Sequence, residues 1–373
     1  MTTPHTPTFD VDAMIADRSV RIVLCCGSGG VGKTTTSAAL AVRAAEAGRR
    51  VVGLTIDPAR RLAQSLGVGE LDNTPREVPG VGADGGRLDA MMLDMKRTFD
   101  EVVAAHAAPD RAERILANPF YQALSTSFAG TQEYMAMEKL GQLHTEAVEQ
   151  DRWDLIVVDT PPSRSALDFL DAPEHLSQLL DGRMLRLLLA PAKGPMRLMS
   201  AGVNLVMSAM QKVLGAQVLT DVQTFVTAFE ALFGGFRQRA EATLANLASP
   251  HTRFLVIATP ARDALREASF FVDRLAEEEM PLSAVVMNRM TSAANGLDEA
   301  ETHAQLAATS DRLATLALQE QLRRLRVVAA ESSAVERFHR RHPAVPVVRT
   351  PAQGGEVSDL AALRQLGAAL ARP

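Results

Sequence analysis

Residues 21 to 36 read Arg-Ile-Val-Leu-Cys-Cys-Gly-Ser-Gly-Gly-Val-Gly-Lys-Thr-Thr-Thr, and this stretch decides the fold. An uncharged apolar run, Ile22 to Cys26, meets a glycine-rich turn, and small residues follow at once. That order predicts strand, loop, helix. Gly27, Gly32, Lys33 and Thr34 stand at the spacing G-x-x-x-x-G-K-[ST] of a phosphate loop. Gly27, Gly29, Gly30 and Gly32 let the main chain take positive φ and approach a phosphate with no Cβ in the way. The amides from Ser28 through Val31 to Thr35 then line an anion-binding hollow at a helix N-terminus. Lys33 is expected to reach the β- and γ-phosphates of ATP, and the Thr34 hydroxyl to take one position on Mg²⁺.

Outward from the loop, residues 37–47 read as an alanine-rich helix ended by Gly48. Residues 51–56 read as a second buried strand that stops at Asp57-Pro58. Strand, helix and strand within about 35 residues make a βαβ unit and hence a parallel sheet. Residues 72–87 read as loop, and 96–150 as mostly helical. Further strands are expected at 88–95, 154–159, 253–258, 282–287 and 345–348, with helices at 262–279 and 298–324. The fold class is α/β, a doubly wound, mainly parallel sheet with helices on both faces and an inserted helical subdomain. Residues 1–18 are expected to be a flexible tail. Residues 19–172 and 248–373 form the expected core, and 173–247 the Met/Phe-rich insertion.

Bulk properties narrow the function. A formal net charge of −5 argues against a general binder of nucleic acid or anionic membrane, and 4% aromatic content against base-stacking surfaces. The two cysteines, Cys25 and Cys26, are adjacent on the first strand and cannot frame a disulfide scaffold, which favours a reducing, cytoplasmic setting. The first 17 residues lack the apolar core of a signal peptide, and no run approaches a membrane span.

Two carboxylates stand where ligands of such sheets bind, beyond the strands' carboxyl ends. Asp159 closes Leu-Ile-Val-Val-Asp, the place of a carboxylate that supports Mg²⁺; the alternative is a cap after a buried strand. Asp57 ends the second strand, where a carboxylate orients or deprotonates the attacking water; the alternative is an Asx-Pro turn.

The loop Gly-Ser-Gly-Gly-Val-Gly-Lys-Thr-Thr resembles the deviant phosphate loop of the MinD/ParA-like ATPases. Within that class, Asp57-Pro58-Ala59 resembles the first switch of the arsenite-pump (ArsA) and tail-anchored-protein-targeting ATPases. The stretch Asp159-Thr-Pro-Pro-Ser-Arg-Ser-Ala-Leu-Asp-Phe-Leu resembles their second switch. The resemblance covers most of the chain from about residue 20 and is that of a bacterial-type member. It implies further nucleotide contacts. Asn288, in Val-Met-Asn-Arg289, matches the strand-end Asn that reads adenine, and Pro351 the loop that closes over the base. Glu267 matches a nucleotide-proximal Glu, and Glu133 a family landmark without an assigned role.

The chain departs from the family in three places. Ser28 stands where the family has a Lys that reaches the partner's nucleotide, so slow hydrolysis, or a lysine supplied by a partner subunit, is expected. Arg164 and Ser165 replace a Gly-His pair in the second switch. No Cys-x-x-Cys exists for a bridging zinc, and no cysteine outside the first strand for an arsenite site.

Residues 173–247 carry a second signal. Met184, Met196, Met199, Met207 and Met210 crowd together, and Met196, Met199, Met207 and Met210 share one helical face. Phe225, Phe229, Phe233 and Phe236 make a second stripe. Such stripes read either as a bundle core or as the groove for a hydrophobic client that the resemblance implies. Arg323, Arg324, Arg326, Arg337, Arg340 and Arg341 read as a solvated face against a nucleic-acid patch, since Glu320, Glu331 and Glu336 interleave them.

The expected function is a Mg²⁺-dependent ATPase switch, a homodimer or a heterodimer with a paralogous ATPase, that binds a hydrophobic client or membrane-protein partner. Alternatives are the catalytic subunit of an anion or metalloid export pump, and a weakly hydrolysing subunit beside an active paralogue. No nucleic-acid partner and no zinc site are expected.

Overall fold

A computed structural model describes residues 9–57, 61–119, 121, 122, 125, 131–161, 235, 238–293 and 296–372. Among them, eight strands form one sheet: β1 (Ile22–Cys26), β2 (Arg50–Thr55), β3 (Arg76–Glu77), β4 (Arg87–Met92), β5 (Leu155–Asp159), β6 (Thr252–Ala258), β7 (Leu282–Met290) and β8 (Val347–Pro351). Their order is β3-β4-β2-β5-β1-β6-β7-β8, and every neighbouring pair is parallel except β3 with β4. β1 and β5 are buried at every position, which is why each reads as an uninterrupted apolar run.

The helices are α1 (Val11–Ala16), α2 (Lys33–Glu46), α3 (Arg61–Ser65), α4 (Met95–His106), α5 (Pro109–Leu116), α6 (Thr131–Glu149), α7 (Arg262–Glu277), α8 (Glu299–Ala308), α9 (Arg312–Arg341) and α10 (Leu360–Leu370). From β1 the chain passes through α2 to β2 on one side; after β5 it continues to β6 on the other. The strand order therefore reverses at β1, the place where an open α/β sheet leaves a crevice beyond its carboxyl ends. α2 owes its close fit to small residues. Where α10 meets it, a Cβ on Gly367 would lie 3.3 Å from the Ala39 carbonyl oxygen.

The described residues divide into two compact units. One holds 1–92, 146–167 and 247–373; the other holds 93–145 and 168–246. Residues 93–145, which precede the expected insertion at 173–247, belong to the second unit. The contacts within that unit show why. Tyr121 donates to Asp100 at 2.6 Å and packs edge-on against Phe99; Lys139 pairs with Glu101 at 3.1 Å, and Arg239 with Glu138 at 2.9 Å. Met135, Met137, Leu140 and Leu143 are buried there.

The tail also corrects an expectation. Residues 10–18 are ordered against the sheet unit: Asp10 caps α1 by accepting from the Ala13 amide at 2.9 Å, and Val11, Met14 and Ile15 are buried. Two elements read differently from the sequence. Residues 298–324 form two helices, since Asp311 accepts from the Leu313 and Ala314 amides and starts α9 afresh. The expected loop 72–87 contains β3, the short antiparallel edge. Among the described residues no helix is long and apolar enough to cross a membrane.

Candidate active site

The crevice beyond β1 is built by the glycine loop and closed by its neighbours. Gly27 has φ +147°, and a Cβ there would sit 2.2 Å from the Ile257 carbonyl oxygen of β6. Gly32, the N-cap of α2, has φ +96°, and a Cβ there would sit 2.3 Å from Asn288 Nδ2. Both positions require glycine for space as well as for conformation. Ser28 is half-buried, and Gly29 and Gly30 are exposed at the mouth. Lys33 is buried in the first turn of α2, and its ammonium donates to the Ser28 carbonyl at 2.9 Å. Burial lowers the Lys33 pKa, while the nearby Asp159 carboxylate works to raise it.

Strand register brings the metal-class oxygens together. Asp159 of β5 pairs with Cys25 of β1 on one side and Thr55 of β2 on the other. It is 1% exposed, and Thr55 Oγ1 donates to its Oδ2 at 3.0 Å. Its Oδ1 is buried with no hydrogen-bond partner among the described residues. Burial pushes the carboxyl up to about 6, against the Thr34 and Thr55 hydroxyls and the Lys33 charge, which favour the ionised form. A buried carboxylate oxygen lacking a partner, with the Thr34 hydroxyl beside it, is the donor chemistry that Mg²⁺ takes. Thr160, next in chain, donates to the Cys25 carbonyl at 2.9 Å and ties the end of β5 to β1. Burial pushes the Cys26 thiol up to about 12, so it is no nucleophile.

Asp57 is half-buried just beyond β2, and the Ile56 amide before it donates to the Asp159 carbonyl at 3.0 Å. That bond ties the end of β2 to the end of β5. The same side of the sheet receives Asn288, buried near the end of β7. Its Nδ2 donates to the Val31 carbonyl at 2.8 Å, so this side chain touches the phosphate loop itself. Arg289 follows in the left-handed region at φ +59°, exposed, with its amide donating to Asn288 Oδ1 at 2.9 Å. Pro351 closes β8, half-buried beside Met290. Glu267 stands half-buried in the second turn of α7, the helix that follows β6.

Sequence reasoning missed two side chains, Thr55 and Thr350. Thr350 of β8 is fully buried and donates to Asn288 Oδ1 at 3.0 Å. Each is a lone polar residue near the carboxyl end of a strand, and that position is the only signal the sequence carried. Pro58, Ala59, Arg164, Ser165, Met184, Met196, Met199, Met207, Met210, Phe225, Phe229, Phe233 and Phe236 lie outside the described residues, as does the Glu133 side chain. The basic run lies on α9, where Arg323 pairs with Glu320 at 3.0 Å and Arg341 with Asp273 at 3.1 Å.

Comparison with known proteins adds the family. The family model described as anion-transporting ATPase matches residues 20–310. The protein named ATPase GET3 from the fungus Malassezia globosa is 29% identical over 167 residues, 45% of this chain and 46% of that protein. Its namesake from Podospora anserina is 29% identical over 171 residues, 46% of this chain and 48% of that protein. The one from Ajellomyces dermatitidis is 25% identical over 279 residues, 74% of this chain and 75% of that protein. The matched part thus spans about half the length of the first two relatives, and all three are fungal. With the family match running from the strand before the glycine loop to the helix beyond β7, this chain belongs to the anion-transporting ATPase (ArsA) family.

Proposed function

We propose that this chain binds ATP with Mg²⁺ in the crevice beyond β1 and hydrolyses it to ADP and phosphate, as a dimeric switch. One observation carries the reading: strand register sets Asp159, with its unpartnered buried oxygen, beside Lys33 and Thr34 of the glycine loop. Thr34 and Asp159 would hold the metal, whose part when bound is to neutralise charge on the phosphate oxygens. The loop amides and Lys33 bind and orient the β- and γ-phosphates. Asp57 takes the proton from the water that attacks the γ-phosphorus as the bond to the β,γ-bridging oxygen breaks. The dimer, whether of two copies or with a paralogue, and a hydrophobic client or membrane-protein partner belong to this reading through the family. Phosphate release by the purified full chain tests it: turnover lost in Asp57→Asn, with ATP binding retained, supports the self-sufficient enzyme. No ATP binding at millimolar concentration, or Asp57→Asn turning over as fast as the native chain, overturns it.

Ser28 favours a second reading, a subunit that depends on a paralogue for the missing charge at its γ-phosphate. Turnover that appears only when a paralogue with lysine at that loop position is added supports this subunit reading over the first.

A further inference from the structure

α7 and α9 leave a cleft of about 700 Å³ between them, and four arginines far apart in the chain meet on it. Arg262 and Arg266 come from the first two turns of α7, Arg337 and Arg341 from the last two turns of α9, and all four are exposed. Among the described residues no Asp or Glu lines the cleft. Asp263 lies 3.6 Å from Arg266 and Asp273 lies 3.1 Å from Arg341, both outside the lining. These pairs are open to water, where an ion pair contributes about 0–1 kcal/mol, so a better-placed carboxylate can displace them. Arg337 donates to the Ser333 hydroxyl at 2.6 Å, and neither it nor Arg262 has an ion pair among the described residues. Leu265 and Phe338 give the cleft an apolar base. Four guanidinium groups around one hollow repel one another, in a chain whose formal net charge is −5, and an anionic occupant relieves that repulsion.

We propose that the cleft between α7 and α9 is a docking site for an acidic segment of a partner protein. Its carboxylates pair with Arg262, Arg266, Arg337 and Arg341, while an apolar side chain between them settles on Leu265 and Phe338. Guanidinium forks take carboxylates two hydrogen bonds at a time, which fits the rim. The apolar base decides among anions. A free phosphate ion makes no use of Leu265 or Phe338. A bilayer is flat and meets a concave surface only at its rim. Single-stranded nucleic acid needs open aromatic faces on which bases stack, and Phe338 is 5% exposed. A peptide brings charge and an apolar anchor on one backbone, and the cleft lies within the roughly 300–1,000 Å³ of ligand sites.

This site is independent of the ATP reading, and its test needs no nucleotide. The fluorescein-labelled peptide Glu-Asp-Leu-Glu-Asp-Phe-Glu-Asp is titrated with the full chain at low salt and followed by anisotropy. Beside it run the same peptide with Ser in place of Leu and Phe, and vesicles of phosphatidylserine. The first peptide is expected to bind at least about fivefold more tightly than its serine form, because only it covers the apolar base. Arg266→Glu combined with Arg337→Glu is expected to weaken it more than about tenfold. Arg323→Glu, exposed on α9 outside the cleft and paired with Glu320, is expected to leave its affinity within about twofold. Equal losses from the cleft pair and from Arg323→Glu mean general attraction between charges, and overturn the proposal. Equal affinity for the two peptides, or no saturable binding of either, overturns it with the native chain alone, so no variant has to fold. Vesicle binding that depends on Arg266 and Arg337, with none of the peptide, assigns the cleft to lipid and overturns it as well.

Discussion

Arg49 Nε and Asp154 Oδ1 meet at 2.6 Å just ahead of β2 and β5, at the end of the sheet opposite the phosphate loop. The Arg49 guanidinium is 1% exposed. Its other N–H groups go to the carbonyls of Ile15 and Asp17 at 3.1 Å, Val20 at 2.8 Å and Asp154 at 2.6 Å. All five donors of the fork are satisfied, and three of the carbonyls belong to α1 and the link after it. Lysine has three donors on a point charge and cannot replace that pattern. Arg49→Lys and Arg49→Met are therefore each expected to cost about 3 kcal/mol of unfolding free energy in urea, by leaving buried carbonyls unmatched, while Arg18 still holds the Asp154 carboxylate at 2.8 Å. ATP affinity should stay within about twofold, because the cluster lies a full strand length from the loop. A fall in affinity larger than the fall in stability would show that the two ends of the sheet are coupled.

The loop glycines differ in what a methyl group would meet, and this orders their alanine variants. Gly30 has φ +76° with nothing within 4 Å of a Cβ, so Gly30→Ala should cost only the left-handed backbone, about 1 kcal/mol. Gly32→Ala adds a collision with Asn288 Nδ2 at 2.3 Å, and Gly27→Ala one with the backbone oxygen of Ile257 at 2.2 Å. Asn288 is a side chain that can swing away at the expense of its bond to Val31, whereas a β6 carbonyl cannot move alone. ATP affinity is expected to fall least for Gly30→Ala and more than tenfold for Gly32→Ala, while Gly27→Ala is expected to lower the melting temperature most. A flat response across the three in calorimetry and thermal melts would refute the geometry.

How much of this was legible in the sequence depended on whether a residue's role is local. β1 and β5 announce themselves because a strand buried on both faces is an apolar run, and the loop because its spacing is short-range. Thr55 and Thr350 escaped because their partners, Asp159 and Asn288, lie 104 and 62 residues away and meet them only through strand register. α1 was hidden by Pro4, Pro7 and Asp10, which suggest a tail. Yet Val11, Met14 and Ile15 show the helical spacing, and Asp10 is the cap. Which compact unit 93–145 belongs to is not legible locally, because it has the periodicity of any helix that covers a sheet, and nothing in it says which unit such a helix joins.

The Asp159 carboxyl should be visible in the pH dependence of stability. Its folded pKa, about 6, lies above the value of 3.8 for a free side chain, so the native state binds this proton more tightly than the unfolded state does. Stability from this group therefore rises as pH falls from about 6 toward 4, by up to about 3 kcal/mol, and is flat above 7. His106 and His342, whose pKa values burial lowers, also make stability depend on pH, so the measurement is native chain minus Asp159→Asn in urea unfolding. The difference should slope below pH 6 and level off above it. Mg²⁺ competes with the same proton, so the Mg²⁺ concentration needed for half-maximal ATP binding should rise below pH 6 in the native chain. A difference that is flat from pH 4 to 7 would place the carboxylate in contact with water.

Ser28 leads to the last prediction, because its carbonyl is already held by Lys33 at 2.9 Å and its half-buried side chain stands at the mouth of the loop. A lysine there would leave the backbone bond in place and add one positive charge at the position from which, in the proposed dimer, it would reach the partner's γ-phosphate. Charge supplied in trans to a phosphoryl-transfer site is worth about 10³-fold or more in favourable cases, so Ser28→Lys is expected to raise turnover at least tenfold. If that charge acts across a dimer, a chain carrying both Ser28→Lys and Lys33→Ala, which cannot cradle its own phosphates, should still accelerate the native chain on mixing. The acceleration should saturate as hybrid dimers fill. If Ser28→Lys speeds the reaction alone but the double variant adds nothing to native chain, the charge works within one subunit. If neither changes the phosphate-release rate, the serine is not what limits hydrolysis.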